Sequence, residues 1–217
     1  TWRGMEVLVM SALRARPWRG RGSWPIPEAA ADEVAGAFDE GRRPLVATPM
    51  WQRCVQSAAS LTDPTTRDRL TEAMDRVAAT VGEDEVRVGG CHGDFTPWNL
   101  ARRSGRILLW DWERFEQGVP HGMDHVHYAV NTVLRAQGLR PEALQEGLRK
   151  GTGRSGSTPR ADAALVAAYL VSLSCRYLTA AQGEGGRAVL PRAELTLSAL
   201  VRSGERLTAD AADRGAR

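Results

Sequence analysis

The sequence predicts an α+β fold that is mostly helical, with one small β insertion near its middle. Three observations carry this. Apolar residues recur at helical spacing on both sides of the centre. The period changes at Val86-Arg87-Val88, which alternates as a strand does. Two short runs, Leu100 to Arg103 and Arg106 to Trp110, then flank Ser104-Gly105, which is a hairpin signal.

In chain order, Glu6 to Met10 is a short apolar run that reads as a strand, and Arg14 to Trp24 reads as a loop. A helix follows from Pro27 to about Glu40, and a second over Pro49 to Ala59. Asp63-Pro64 sets an N-cap with proline at the first helical position, so a third helix runs to Val81 and stops at Gly82. The strand at Val86 leads into Gly89-Gly90-Cys91-His92. Beyond Asp124 the pattern is helical again over about 125–137, 141–150, 160–182 and 191–212. Gly151 to Thr158 is a Gly/Ser-rich connection.

The 217 residues carry a net charge of +3, with basic residues scattered and no stripe of Arg interleaved with aromatics. A nucleic-acid partner is therefore not expected. Cys54, Cys91 and Cys175 are odd in number and far apart, which fits a reducing cytoplasm better than a disulfide framework. The apolar run from Ala163 to Cys175 is closed by Arg176 and reads as a buried core helix rather than a membrane span.

The chemistry gathers at His92-Gly93-Asp94-Phe95-Thr96-Pro97-Trp98-Asn99, the H-x-D-x-x-x-x-N spacing of a kinase catalytic loop. Just beyond it, the strand Ile107-Leu108-Leu109-Trp110 ends in Asp111. With the turn centred near Gly105, antiparallel pairing sets Asn99 opposite Asp111. Facing side chains lie roughly 5 Å apart, close enough to grip one cation. An amide and a carboxylate suit Mg²⁺, which takes hard oxygen ligands and completes its shell with phosphate. Asp94, on a loop stiffened by Pro97, is placed to orient an acceptor hydroxyl or take its proton.

HGDFTPWN followed by LLWDWE resembles the aminoglycoside phosphotransferase and choline kinase family, protein-kinase-like phosphotransferases. The likeness runs over most of the chain as a large lobe and is specific over 90–124. It implies ATP- and Mg²⁺-dependent phosphoryl transfer to a hydroxyl of a small molecule. Asp94 would be the catalytic base, Asn99 and Asp111 the Mg²⁺ ligands that hold the nucleotide, His92 a brace on the loop, and Asp124 structural. Members also carry an N-terminal lobe whose lysine pairs with the ATP phosphates. Here no lysine precedes the loop, because Lys150 is the only one.

The expectation is thus a kinase-like C-terminal lobe over 25–217, with a hinge strand and connecting loop over 1–24 and the N-terminal lobe largely absent. Such a chain is a fragment, is completed by a second polypeptide, or is an inert pseudokinase-like binding module.

Rival features are weaker. His121, Asp124, His125 and His127 invite a metal-hydrolase reading, although Pro120 and Gly122 put His121 in a loop. Gly151-x-Gly153-x-x-Gly156 follows a helix rather than a strand, so it is a decoy for a nucleotide fingerprint. Trp98, Trp110 and Trp112 either wall the acceptor pocket or form core. Glu113 and Glu116 would favour a cationic acceptor.

Overall fold

The computed structural model describes residues 16–17, 25–153 and 156–215. The expected strand at Glu6 to Met10 and most of the expected hinge segment lie outside them. Helices α1 (Glu28–Ala37), α2 (Pro49–Ala59), α3 (Pro64–Val81), α4 (Met123–Gln137), α5 (Pro141–Gly151), α6 (Pro159–Ala181) and α7 (Leu190–Gly215) make the molecule mostly helical. Strands β1 (Arg16–Pro17), β2 (Gly41–Pro44), β3 (Glu85–Cys91), β4 (Leu100–Arg103), β5 (Arg106–Leu109) and β6 (Glu116–Pro120) form two antiparallel sheets, ordered β1-β4-β5 and β2-β3-β6.

Helix starts follow from local chemistry. Thr48 and Asp63 cap α2 and α3 by accepting from the backbone N–H of Trp51 and Thr66, and Thr158 caps α6 by accepting from Ala161. Each cap precedes a proline at the first helical position, where the missing N–H costs nothing. These three boundaries agree with the sequence reading to within one residue.

Helix α6 is the centre of the helical layer and touches α2, α3, α4 and α7. It has 23 residues, and by length and composition alone it is long and apolar enough to cross a bilayer, longer than the expected run. The helix is buried on several sides, from Ala164 through Leu178, as an interior helix enclosed by others should be. A second, smaller core of Ala31, Phe95, Leu100 and Tyr128 joins α1 and α4 to the hairpin and the loop before it.

The β content exceeds the expected single insertion. Strand β2 escapes a pattern reading because it is four residues of exposed or half-exposed Gly-Arg-Arg-Pro. Strand β6 contains Gly118 and ends at Pro120, both strand breakers in isolation. Arg16–Pro17, expected as loop, pairs with β4.

The hairpin register is also corrected. Ser104 (φ 50°) and Gly105 (φ 77°) both take the left-handed conformation, which makes a two-residue turn. Leu100 therefore pairs with Leu109 and Arg103 with Arg106, one residue off the expected pairing. Asn99 then meets Trp110 rather than Asp111, and its carbonyl accepts from the Trp110 N–H at 3.3 Å.

Helix α5 closes on α4 through two glycines. A Cβ at Gly147 would lie 2.6 Å from the Val130 Cα, and one at Gly151 would lie 2.5 Å from the Val126 Cα. Gly147→Ala gains about 1 kcal/mol of helix propensity. It must also push back a backbone atom that cannot rotate away, which costs about 1–3 kcal/mol. Gly147→Ala is expected to lower the denaturation midpoint, whereas Gly36→Ala, with open space around its Cβ, should raise stability by about 0.5–1 kcal/mol.

A bidentate contact from Arg87 on β3 holds the Asp39 carboxyl down to about 2, from 3.8. The folded value lies below the unfolded one, so this contribution is full above pH 4 and fades as pH falls towards 2. Acid titration of stability should show less loss in that window for Asp39→Asn than for the parent.

Candidate active site

Strand β3 ends at Cys91, and the next residues turn over the first turn of α4. The buried Asp124 carboxylate, second residue of that helix, organises the turn. Its Oδ2 accepts from the His92 N–H at 2.8 Å, and its Oδ1 accepts from the Gly93 N–H at 3.2 Å and the Cys91 Sγ–H at 3.0 Å. Burial, reinforced by this carboxylate, pushes the Cys91 thiol well above its ordinary range, so it is no nucleophile. Gly93 takes φ +76°, and any Cβ there would strike the Arg114 carbonyl. Arg176 on α6 donates to the Gly93 carbonyl at 2.8 Å.

His92 is fully buried and acts as a brace. Its Nδ1 accepts from the Asp94 N–H at 3.3 Å, so Nε2 carries the proton and donates to the Trp110 carbonyl at 3.0 Å. One imidazole thereby ties the loop to the residue before Asp111. Trp112 packs against the imidazole in a tilted contact, ring centroids 4.6 Å apart.

Asp94 is half-buried and held at both oxygens. Asn99 Nδ2 donates to Oδ2 at 2.9 Å and to the Asp94 carbonyl at 3.0 Å. His127 Nε2 lies 3.3 Å from Oδ1. The hydrogen bond from His127 is the main cause that holds the Asp94 carboxyl below its usual range, with Asn99 adding to it against burial. His127 itself is lowered, chiefly by burial, against the pull of Asp94. A neutral ring fits both neighbours, with Nε2–H donating to Asp94 and Nδ1 accepting from the Tyr169 hydroxyl at 3.2 Å.

With both Nδ2 contacts spent on Asp94, the buried Asn99 leaves its Oδ1 without a hydrogen bond among the described residues. Asp111 follows the strand in the left-handed conformation (φ 66°, ψ 58°), exposed, its carboxylate likewise without a protein partner among the described residues. Such a backbone is uncommon for a non-glycine residue and accumulates where side-chain placement matters. Although not opposite one another, Asn99 and Asp111 stand on either side of the Asn99–Trp110 hydrogen bond, at one hairpin mouth.

The histidines of the hydrolase reading diverge. His121 Nε2 lies 3.7 Å from Asp39, His125 Nε2 lies 3.6 Å from Asp32, and His127 serves Asp94. Among the described residues no group of three or more His, Cys, Asp or Glu is placed to hold a metal ion. His125 and His127 are two apart on α4, which turns them to different sides. Of the tryptophans, Trp98 and Trp112 are exposed and are not core. Glu113 and Glu116 each lie in a solvent-exposed ion pair, with Arg114 and Arg53 respectively. The described glycines of the Gly-rich motif lie where α5 ends and in the connection to α6, away from any strand.

Sequence reasoning did not assign His127, Tyr169 or Arg176 to this loop. One signal was present: His127 lies three residues after Asp124, so both share a helix face.

No family model matches the chain, and no curated protein does. Among solved structures the chain has some likeness to a glucosamine kinase (crystal form B), at 18% identity and a TM-score of 0.24. The match covers 78% of this chain and 48% of the kinase, so the chain spans about half of that protein's length. The functional reading below rests on the site and not on this overlap.

Asp124→Ala strands two buried N–H groups, those of His92 and Gly93. It should cost about 2–5 kcal/mol of stability, read as a shift in urea midpoint, with Asp124→Asn losing less.

Proposed function

We propose that this chain is the large lobe of a kinase-like phosphotransferase that transfers a phosphoryl group from ATP to a hydroxyl of a small molecule. The observation that carries the reading is the division of labour around Asn99. Its amide nitrogen fixes Asp94, while Asn99 and Asp111 flank the same hairpin mouth and neither the Asn99 Oδ1 nor the Asp111 carboxylate has a hydrogen-bond partner among the described residues. An amide oxygen and a carboxylate are hard donors suited to Mg²⁺, and they are the two groups that would hold it. When bound, the ion would neutralise phosphate charge and align the nucleotide.

Asp94 would meet the acceptor hydroxyl. Two donors already stabilise its anion, so it is ionised at neutral pH and is a weak base. A weak base cannot strip an alcohol in advance. It orients the hydroxyl through a hydrogen bond and takes the proton late, as the forming P–O bond acidifies it. His127 and Asn99 fix the direction in which the carboxylate faces.

The phosphate-pairing lysine implied by the resemblance has no counterpart here. Lys150 sits on α5 and pairs with Glu146 at 2.6 Å. We propose that further polypeptide supplies the nucleotide-covering lobe. The same observation favours a second reading, a binding module that keeps the pocket without turnover.

Phosphoryl transfer from radiolabelled ATP, measured with the covering lobe present, separates the two. Asp94→Asn is expected to cut turnover by at least about 10² with nucleotide affinity within about twofold. Asp111→Asn should weaken Mg²⁺-dependent nucleotide binding about tenfold by calorimetry. Unchanged turnover in Asp94→Asn removes that residue from its role, and nucleotide binding without any transfer leaves the binding module.

A further inference from the structure

Beside the loop lies a cleft of about 450 Å³, within the range that encloses a small ligand. Its walls are α2, α6 and the segment from Glu113 to Glu116. It adjoins the catalytic loop at two points: Arg176 bonds the Gly93 carbonyl, and the Arg114 carbonyl packs where a Gly93 Cβ would be.

The chemistry of these walls is specific. Arg53 and Ser57 are four apart on α2, and Ser172, Arg176 and Thr179 follow one stripe of α6, so each set shares a helix face. Cys54 and Cys175, both buried, meet in an apolar seam that also lines the cleft, together with Met50, Phe115 and Ala180. A polar stripe facing a polar stripe beside that apolar seam has the character of a ligand groove.

Charge narrows the ligand. Three guanidiniums face two carboxylates, and both carboxylates are already paired, Glu116 with Arg53 at 3.1 Å and Glu113 with Arg114 at 3.4 Å. Arg176 has no carboxylate partner among the described residues. It spends one N–H on the Gly93 carbonyl, which holds the side chain in place and leaves the rest of its fork open. The hydroxyls of Ser57, Ser172 and Thr179 make no hydrogen bond among the described residues, although helical Ser and Thr commonly bond back to the preceding turn.

We infer that this cleft binds a small polyhydroxylated carboxylate, of the sugar-acid class. Its carboxylate sits on Arg176 and its hydroxyls on Ser57, Ser172 and Thr179. A planar carboxylate matches the guanidinium fork, and the three free hydroxyls match a polyol chain. Polycations are disfavoured, because the wall carries three guanidiniums against two carboxylates, each of which has an arginine beside it. That this ligand is also the phosphoryl acceptor rests on the proposed function, while its binding does not.

Calorimetric titration of the chain with D-gluconate, D-sorbitol and kanamycin tests this. Gluconate should bind at least about tenfold more tightly than sorbitol and should be the tightest of the three. Arg176→Gln keeps a donor for the Gly93 carbonyl and should abolish the preference for gluconate over sorbitol. Thr179→Val, on an exposed helix position that folding does not need, should weaken both polyols. The assignment is overturned if gluconate does not bind, if kanamycin binds more tightly, or if neither substitution changes gluconate binding. Gluconate binding with no phosphoryl transfer to any acceptor when the covering lobe is present counts against the kinase reading alone; transfer to some other acceptor without gluconate binding counts against the cleft alone.

Discussion

The site depends on one buried carboxylate. Asp124 sits in the first turn of α4, where the helix's own free N–H groups favour an anion, and it spends its acceptor capacity on the residues entering the loop. From that anchor the other contacts follow in register. His127, one turn on, reaches the Asp94 side chain from the same face of α4. On α6, Tyr169 backs His127, and Arg176, two turns further, takes the Gly93 carbonyl. Two helix stripes thus clamp a loop of irregular backbone, which has no ladder of its own to hold it.

The clamp has an electrostatic consequence. A buried histidine next to a carboxylate invites an ion pair, yet burial pulls the His127 pKa down while the same contact pulls Asp94 down. The two directions agree on one state, neutral imidazole and ionised Asp94, which needs no buried cation. Tyr169 stabilises that state further, because its hydroxyl donates to Nδ1 only when that nitrogen is unprotonated. The arrangement fixes the direction of Asp94 without raising its basicity, which suits a group that orients a hydroxyl more than one that deprotonates it.

Much of this was legible in the sequence where the signal was local. A cap followed by proline placed the start of α3, helical spacing placed α2 and α6, and the spacing from His92 to Asn99 with a strand ending at Asp111 located the candidate site. What was lost depended on a single residue or on distance along the chain. A two-residue turn and a three-residue turn around Gly105 look alike in sequence, and the choice between them decides whether Asn99 faces Trp110 or Asp111. Strands β2 and β6 are too short and too rich in Gly, Arg and Pro to register as strands until β3 lies between them. Arg176 reaches the loop from 83 residues away and Tyr169 backs His127 from 42 away, and nothing in their local pattern distinguishes them from ordinary members of a helix. The clustered histidines of the weaker metal reading diverge for the complementary reason: closeness in sequence is not convergence in space.

On the proposed function, the charge balance of the site sets what must come from outside it. The free groups at the hairpin mouth are an amide oxygen and the Asp111 carboxylate, and the loop beside them carries the Asp94 anion. Helix N-termini often bind phosphate, but that of α4 beside this loop carries the buried Asp124 in its first turn. The chain's only lysine is on α5 and paired. Arg176 is turned to the Gly93 carbonyl and the cleft beyond it. A triphosphate approaching this surface would therefore meet oxygen ligands and repulsion unless a divalent cation came with it. On this reading the positive groups that flank the phosphates are not found at this site among the described residues, and further polypeptide would contribute them, which would make nucleotide affinity a property of the assembled protein.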